Sequence, residues 1–302
     1  MDSTEDTQSG SFSRRAFLSR LAIIAGGSAV ALACGSEATA LAPTATSPPS
    51  PTTAPPAIPA TTAASSDSSE SIEAGPVEFD GNGAKLLGYL SRPTLPGPHP
   101  AIVVVHENRG MLPHFEDITR RYAREGYVAL AVDMLSREGG AGAFSGDATA
   151  MLTALRGVPT DQVVADGNAA VSFLQDQSYV RRDRVGATGF CFGGSIVWLM
   201  AVSNPELRAA VPFYGSAPPL EDVPNLQTPV LGIYAGEDSR INAGVSALED
   251  ALKSEGKDFK FVSYPGASHA FFNDTGSRYH PEAAEGAWME TLNWFEDHLM
   301  DT

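Results

Sequence analysis

Short apolar segments rich in β-branched residues alternate with segments of helical periodicity through most of the sequence, and this alternation limits the folds open to the chain. The clearest apolar run covers residues 100–106, as expected of a strand that is covered on both faces. Further strands are predicted over residues 85–90, 127–132, 184–190, 209–214, 229–234 and 259–264, and helices over residues 115–123, 163–174, 195–201, 245–254 and 281–299. Strands that alternate with helices predict an α/β fold, with a mostly parallel central sheet flanked by helices on both faces.

The first 34 residues have the pattern of an export signal. Arg14 and Arg15 stand next to each other and precede an uncharged run of 13 residues from Leu21 to Ala33. A run of this length is too short for a membrane-spanning helix, which needs about 20 apolar residues, but it is usual in a signal segment. Residues 1–34 are therefore predicted to be a signal of the twin-arginine type, which places the mature protein outside the cytoplasm.

Two outcomes are open for the end of this signal. Residues 31–34, Ala-Leu-Ala-Cys, resemble a lipobox, in which Cys34 would be acylated and tether the protein to the membrane. The residues before Cys34 also satisfy an A-x-A rule, and cleavage there would release a soluble protein. Residues 35–74 consist almost entirely of Ala, Thr, Ser and Pro and are predicted to be a disordered linker. Such a linker favours the tether, and the folded domain is predicted to cover residues 75–302.

Composition excludes several classes of function. Two cysteines allow at most one disulfide and exclude a zinc site built from cysteines. The net charge of −16, from 20 basic and 36 acidic residues, disfavours nucleic acid or an anionic membrane surface as a partner. The sequence shows no phosphate-binding loop and no cluster of Cys and His ligands, so we expect neither a metal nor an organic cofactor.

A glycine-rich turn holds the candidate nucleophile. Residues 189–194, Gly-Phe-Cys-Phe-Gly-Gly, lie between a predicted strand and a predicted helix. This G-x-C-x-G pattern is typical of a nucleophile elbow, whose flanking glycines let the strand and the helix approach closely. The helix N-terminus also favours a thiolate at Cys191. The alternative is a structural cysteine in a glycine-rich turn.

The acid and the base of such a site are expected later in the chain. Asp238 follows the predicted strand at 229–234, and His269 follows the strand at 259–264. Glu237 is the close alternative to Asp238 as the residue that orients the base. His106 also stands at a strand end, whereas the other histidines are predicted to be surface or capping residues: His99, His114, His280 and His298.

Four segments resemble those of the dienelactone hydrolase family of α/β-hydrolases: residues 106–110, 189–194, 236–238 and 269–271, within a likeness that extends over residues 77–300. The resemblance implies an α/β-hydrolase fold with Cys191 as nucleophile, His269 as base and Asp238 as its orienting acid. It also implies that Glu107 hydrogen-bonds the resting thiol and shifts when substrate arrives. The backbone N–H groups of Phe192 and Asn108 would form the oxyanion hole.

The resemblance departs from the family at one substrate-binding position. Members that cleave dienelactone bind its carboxylate with two arginines, and Arg137 matches the first. Asn273 stands where the second is expected, which makes dienelactone itself a doubtful substrate. Arg109 and Arg240 lie on catalytic loops and are candidates to replace it, although an exposed arginine is often merely solvated. Arg137 is the predicted substrate-binding residue, and its alternative role is to brace its loop.

These features predict an exported hydrolase of small esters or lactones that works through a thioester intermediate. The alternatives are a peptidase or acyltransferase on the same fold, or a non-catalytic binding lipoprotein at the cell surface. A cysteine nucleophile weighs against a peptidase, because the tetrahedral adduct with an amide tends to expel the thiolate. We expect a small-molecule partner, no nucleic acid, and a monomer or small homo-oligomer.

Overall fold

The computed structural model describes residues 71–300. The predicted export signal, the lipobox with Cys34 and the linker up to residue 70 lie outside these residues. Within them, no helix is long and apolar enough to cross a membrane.

In the described part of the chain, eight strands form one sheet in the order β1-β2-β4-β3-β5-β6-β7-β8. The β1–β2 and β2–β4 pairs are antiparallel, and all other neighbouring strands are parallel. This arrangement confirms the predicted α/β fold with a mostly parallel sheet. The strands are β1 (Ile72–Gly81), β2 (Ala84–Pro93), β3 (His99–Val105), β4 (Val128–Val132), β5 (Val180–Phe190), β6 (Ala209–Phe213), β7 (Val230–Ala235) and β8 (Phe259–Tyr264).

Helices cover both faces of the sheet. The side chains of β3 alternate between two buried clusters. Val103 packs with one, which includes the helices at residues 160–175 and 192–203, and Val104 packs with the other, which includes the helices at 113–124 and 281–299. The continuous apolar run at 100–106 is thus a strand buried on both faces, as predicted. The helices are α1 (Pro113–Arg124), α2 (Ala148–Gly157), α3 (Thr160–Gln175), α4 (Phe192–Ser203), α5 (Ser239–Asn242), α6 (Val245–Ser254) and α7 (Pro281–Leu299).

The edge strand β1 is the main difference from the sequence-based prediction. It begins at Ile72, inside the segment predicted as linker and before the predicted domain start at residue 75. Most of its side chains are at least partly exposed, and it contains Pro76, which an edge strand tolerates. Backbone pairing with β2 therefore defines this strand, and backbone pairing leaves little trace in the apolar pattern.

The direction of β1 follows from its register. Ile72 pairs with Pro93 of β2, while Gly88 of β2 pairs with Val132 at the carboxyl end of β4. The first residue of β1 therefore lies at the edge of the sheet opposite to the carboxyl ends of the parallel strands.

Candidate active site

Cys191 lies in the sharp turn between β5 and α4, as the glycine pattern predicts. Its φ angle is +57°, a left-handed value that is rare for a residue other than glycine. A Cβ atom added to Gly189 would lie 2.4 Å from the carbonyl oxygen of Gly193, and one added to Gly193 would lie 2.2 Å from that of Val105. Both glycines are needed for the close approach of strand and helix, so the local geometry is that of a nucleophile elbow.

The environment of the thiol keeps it protonated at rest. Burial and the nearby Glu107 carboxylate raise the pKa of Cys191 to about 11. The backbone N–H groups of Phe192 and Asn108 interact with the sulfur and oppose this shift. The two predicted oxyanion-hole donors therefore face the Cys191 side chain. The resting thiol differs from the thiolate expected at the helix N-terminus, because burial and Glu107 raise its pKa more than the backbone N–H groups and Arg240 lower it.

His269 and Asp238 form a direct contact at the ends of β8 and β7. The Nδ1 atom of His269 lies 2.5 Å from Oδ2 of Asp238. The other carboxylate oxygen of Asp238 accepts a hydrogen bond of 3.4 Å from the N–H of Ile241, in the first turn of α5. Glu237, the alternative acid, is exposed. Asp238 is thus fixed by a helix start, and it holds the imidazole with Nδ1 as the protonated nitrogen.

Burial and nearby charges act in opposite directions on the pKa of His269. Burial lowers it, the hydrogen bond and charge of Asp238 raise it, and the charges of Arg240 and Arg278 lower it. The net direction is downward, so the imidazole is neutral at neutral pH and Nε2 is available as a base.

Glu107 lies just after β3 and is 5% exposed. Its Oε2 atom accepts a hydrogen bond of 3.3 Å from Nδ2 of Asn273. Burial raises the pKa of Glu107, whereas the amide of Asn273 lowers it. The hydroxyl of Tyr214 also lowers this pKa, but no hydrogen bond of ordinary geometry reaches the Oε1 atom of Glu107. The carboxylate is therefore only partly satisfied in the resting state.

The side chain of Asn273 is held in its contact with Glu107 by a second set of hydrogen bonds. Its Oδ1 atom accepts hydrogen bonds from the backbone N–H of Thr275 at 3.0 Å and from the Thr275 hydroxyl at 2.7 Å. These two donors fix the orientation of the amide, so that its NH₂ group faces Glu107. Asn273 therefore binds a protein carboxylate instead of being free for a substrate.

Tyr214, just after β6, was not identified from the sequence. It is fully buried, its ring centroid lies 5.0 Å from that of His269, and its φ angle is +37°. Within the described residues, four residues other than glycine have positive φ, and three of them lie in this site: Cys191, Tyr214 and Ala270, with Ser145 elsewhere. Backbone strain of this kind collects at functional sites. The sequence places Tyr214 at a strand end, which is the one signal that could have found it.

Arg137 makes contacts that favour its bracing role. Its guanidinium donates two hydrogen bonds to the carboxylate of Asp166, at 3.0 and 2.8 Å, and a third to the carbonyl oxygen of Asn82. A bidentate pair of this kind occupies the face of the guanidinium that a substrate carboxylate would need. The predicted substrate-binding role of Arg137 therefore finds no support in these contacts.

Three other arginines act electrostatically on the site. Arg109 lowers the pKa of Glu107, Arg240 lowers that of Cys191, and Arg278 lowers those of Glu107 and His269. All three side chains are exposed. None of them forms an ion pair within residues 71–300. Of the three, only Arg240 acts on the candidate nucleophile itself.

Two further histidines are buried, and one of them was predicted otherwise. His106 is fully buried at the end of β3. His114 was expected at the surface, but it is 3% exposed and its Nδ1 atom lies 2.9 Å from a carboxylate oxygen of Asp274. The loop after β8 folds over the start of α1 and buries His114. His280 accepts a hydrogen bond from the N–H of Ala283 and caps α7, which confirms its capping role.

The arrangement as a whole defines a class of protein. An elbow cysteine after β5, an acid after β7 and a histidine after β8 all stand at the carboxyl ends of one mostly parallel sheet. This is the α/β-hydrolase fold. Within residues 71–300, no group of three or more His, Cys, Asp or Glu side chains is placed to hold a metal ion.

Comparison with known proteins identifies the family. The family model described as "Dienelactone hydrolase family" matches residues 86–299. A Yersinia pestis protein named "Putative carboxymethylenebutenolidase" is 33% identical over 242 residues, covering 76% of this chain and 90% of that protein. A protein of the same name from Escherichia coli strain K12 is 35% identical over 241 residues, covering 76% and 89%. This chain belongs to the dienelactone hydrolase family, a family of hydrolases.

A solved structure supports the fold independently. The crystal structure titled "Putative Dienelactone Hydrolase" from Klebsiella pneumoniae subsp. pneumoniae has a TM-score of 0.70 to this chain at 34% identity. The similarity covers 76% of this chain and 100% of that one. The described domain therefore corresponds to a whole member of the family.

Proposed function

We propose that this protein hydrolyses small carboxylic esters or lactones, with Cys191 as nucleophile, His269 as general base and Asp238 as its orienting acid. The observation that carries the proposal is the His269–Asp238 contact of 2.5 Å at the same sheet edge as the strained elbow of Cys191. An orienting acid, a base and an elbow nucleophile in this chain order are the parts of an acyl-transfer site.

The resting site must be activated before it reacts. With a pKa of about 11, the Cys191 thiol is almost fully protonated at neutral pH. His269 is neutral and its Nδ1–H donates to Asp238, so the Nε2 atom takes the thiol proton. The thiolate then attacks the ester carbonyl carbon, and the carbonyl π electrons move onto oxygen.

The backbone N–H groups of Phe192 and Asn108 stabilise the oxyanion that forms. Each such donor contributes roughly 2.7–4 kcal/mol to the transition state. Collapse of the adduct expels the alcohol, which receives the proton from His269, and leaves a thioester on Cys191. Water, deprotonated by the same imidazole, then hydrolyses the thioester and restores the thiol. This sequence uses no metal and no organic cofactor.

Glu107 controls the thiol in the resting state. Its negative charge contributes to the raised pKa of Cys191, so the nucleophile stays protonated until a substrate is bound. A carboxylate that is only partly hydrogen-bonded is able to move without breaking a strong contact. We therefore retain the expectation that Glu107 shifts when substrate arrives.

An anionic group on the substrate would be bound by residues other than Arg137. Arg137 is paired with Asp166 and Asn273 is paired with Glu107. The exposed arginines Arg240 and Arg278, whose charges reach His269, are better placed to receive a carboxylate. The proposal therefore includes neutral esters and, through these arginines, acidic ones.

The deciding experiment is turnover of p-nitrophenyl acetate by the purified protein, before and after treatment with iodoacetamide. Burst release of p-nitrophenol followed by steady turnover, abolished by alkylation, is the expected result. An amide substrate and an added alcohol acceptor test the peptidase and acyltransferase alternatives in the same assay. Absence of turnover on a panel of esters and lactones would favour the binding lipoprotein instead.

We also propose that the protein is exported and tethered through Cys34. The support is the sequence pattern of residues 1–34 and the linker that follows. Replacing both Arg14 and Arg15 with lysine should leave the precursor in the cytoplasm. Cys34→Ala should move the exported protein from the membrane fraction to the soluble fraction, and an unchanged distribution would favour simple cleavage.

A further inference from the structure

We propose that His106 is a positioning residue for the oxyanion hole: it holds the peptide group between Glu107 and Asn108 so that the Asn108 N–H points at the reacting centre. The inference rests on the proposed function, because the oxyanion hole is part of the proposed ester hydrolysis. His106 does not itself contact the substrate.

The hydrogen bonds of His106 fix its tautomer. The backbone N–H of Met134 donates to Nε2 of His106 at 3.0 Å. Since a backbone N–H can only donate, Nε2 must be unprotonated and Nδ1 must carry the ring proton. Nδ1 lies 2.6 Å from the carbonyl oxygen of Glu107 and therefore donates to it. Burial lowers the pKa of His106, which keeps the ring neutral and in this tautomer.

The Glu107 carbonyl and the Asn108 N–H belong to one planar peptide group. The described residues contain no cis peptide bond, so this C=O and this N–H point in opposite directions. The Asn108 N–H interacts with the Cys191 sulfur. Fixing the carbonyl on one side therefore fixes the donor on the other. A rotated peptide would instead turn a carbonyl oxygen toward the site where negative charge develops.

The groups around His106 support a fixed position. Its ring centroid lies 6.1 Å from that of Phe115 and 6.5 Å from that of Phe192. The nearest carboxylate oxygen, Oδ1 of Asp133, is 3.9 Å from Nε2 and accepts a hydrogen bond from the N–H of Leu135 instead. His106 thus connects the oxyanion-hole peptide to the buried turn that directly follows β4.

Two substitutions separate this role from simple packing. The amide nitrogen of an asparagine stands near the position of Nδ1, so His106→Asn retains a donor to the Glu107 carbonyl. The longer glutamine reaches the position of Nε2, so His106→Gln retains the contact to Met134 and loses that donor. Both remove the same buried ring. We expect kcat on p-nitrophenyl acetate to fall by less than about fivefold in His106→Asn and by about a hundredfold in His106→Gln, the effect of losing one oxyanion-hole donor.

Alkylation of Cys191 by iodoacetamide is the internal control, because it is a substitution at an sp³ carbon and develops no oxyanion on a carbonyl. Its rate should be unchanged in His106→Asn. In His106→Gln it should fall far less than kcat does, because losing the Asn108 N–H beside the sulfur raises the pKa of the thiol. Equal losses of kcat in the two variants, or a loss of alkylation as large as the loss of kcat, would show that the ring only supports the fold. Retained turnover in Cys191→Ala would instead refute the proposed function. Failure of the proposed function and failure of the inference about His106 are therefore distinguishable.

A measurement on the wild type keeps the inference testable if a variant does not fold. The ¹⁵N chemical shifts of the His106 ring report which nitrogen carries the proton. The inference requires the Nδ1-protonated tautomer at neutral pH. An Nε2-protonated or fully protonated ring would overturn it.

Discussion

The Nδ2 atom of Asn273 lies 3.3 Å from Oε2 of Glu107, at the position where family members that cleave dienelactone are expected to present an arginine. The amide that replaces the arginine is turned inward and held there by Thr275. An inward amide stabilises the Glu107 carboxylate beside Cys191 without adding a charge. Asn273 is therefore bound to a protein carboxylate and is not free to bind an acidic group of a substrate.

Cys191→Ala should abolish ester turnover and leave the fold intact, because the change removes one sulfur atom and the turn remains compatible with a small side chain. Turnover should fall at least a thousandfold, with an unchanged circular dichroism spectrum. Cys191→Ser should also be poor, since a hydroxyl is a weaker acid than the thiol around which this site is built. Retention of a tenth of the wild-type rate in Cys191→Ala would remove Cys191 from the mechanism.

Glu107→Gln should lower the pKa of the Cys191 thiol. Burial and the Glu107 carboxylate together raise this pKa to about 11. The variant loses the contribution of the carboxylate charge and keeps that of burial. The pH profile of iodoacetamide alkylation should therefore move to lower pH, while the midpoint of thermal unfolding changes little. Superimposable profiles in the two proteins would reduce Glu107 to a structural residue.

The acid limb of the pH–rate profile should lie below pH 6.5. Burial, together with the charges of Arg240 and Arg278, lowers the pKa of His269 more than Asp238 raises it, so the imidazole stays neutral and active as a base until the pH falls below that value. The measurement is kcat/KM for a neutral ester between pH 4 and pH 8. An acid limb centred above pH 6.5 would show that the charge of Asp238 dominates.

Arg278→Ala and Arg137→Ala should differ in their dependence on substrate charge. A charge-assisted contact is worth about 1.5–3 kcal/mol, so Arg278→Ala should cost roughly ten- to a hundredfold in kcat/KM on a carboxylated ester and much less on p-nitrophenyl acetate. Arg137 is paired with Asp166, so Arg137→Ala should disturb only the loop that this pair braces. It should therefore lower kcat/KM equally for the carboxylated ester and for p-nitrophenyl acetate. A selective loss in Arg137→Ala would restore it as the anion-binding residue.

Gly193→Ala should disrupt the elbow. The added Cβ atom would lie 2.2 Å from the backbone oxygen of Val105, which cannot move without distorting β3. We expect a loss of stability of about 1–3 kcal/mol or more and loss of turnover. Gly244→Ala is the matched control, because its nearest neighbour would be 3.9 Å away. Chemical denaturation of both variants measures the difference.

The apolar pattern predicted the sheet and the positions of Cys191, Asp238 and His269, because parallel strands bring their carboxyl ends to one edge. It did not predict the contacts between loops. The Asn273–Glu107 hydrogen bond and the burial of His114 depend on the course of the loop between β8 and α7, which no periodicity encodes. Strand β1 was also missed, since an exposed edge strand is defined by backbone pairing. The hydrogen-bond partners of its backbone depend on where β2 lies in space and not on the residue types in β1.

The direction of β1 separates the first residue of the sheet from the candidate active site. The chain enters the sheet at Ile72, on the side opposite to the strand ends that carry Cys191, Asp238 and His269. A label or cross-linker attached directly at Ile72 would therefore lie away from these three side chains and would leave the strand ends that carry them uncovered.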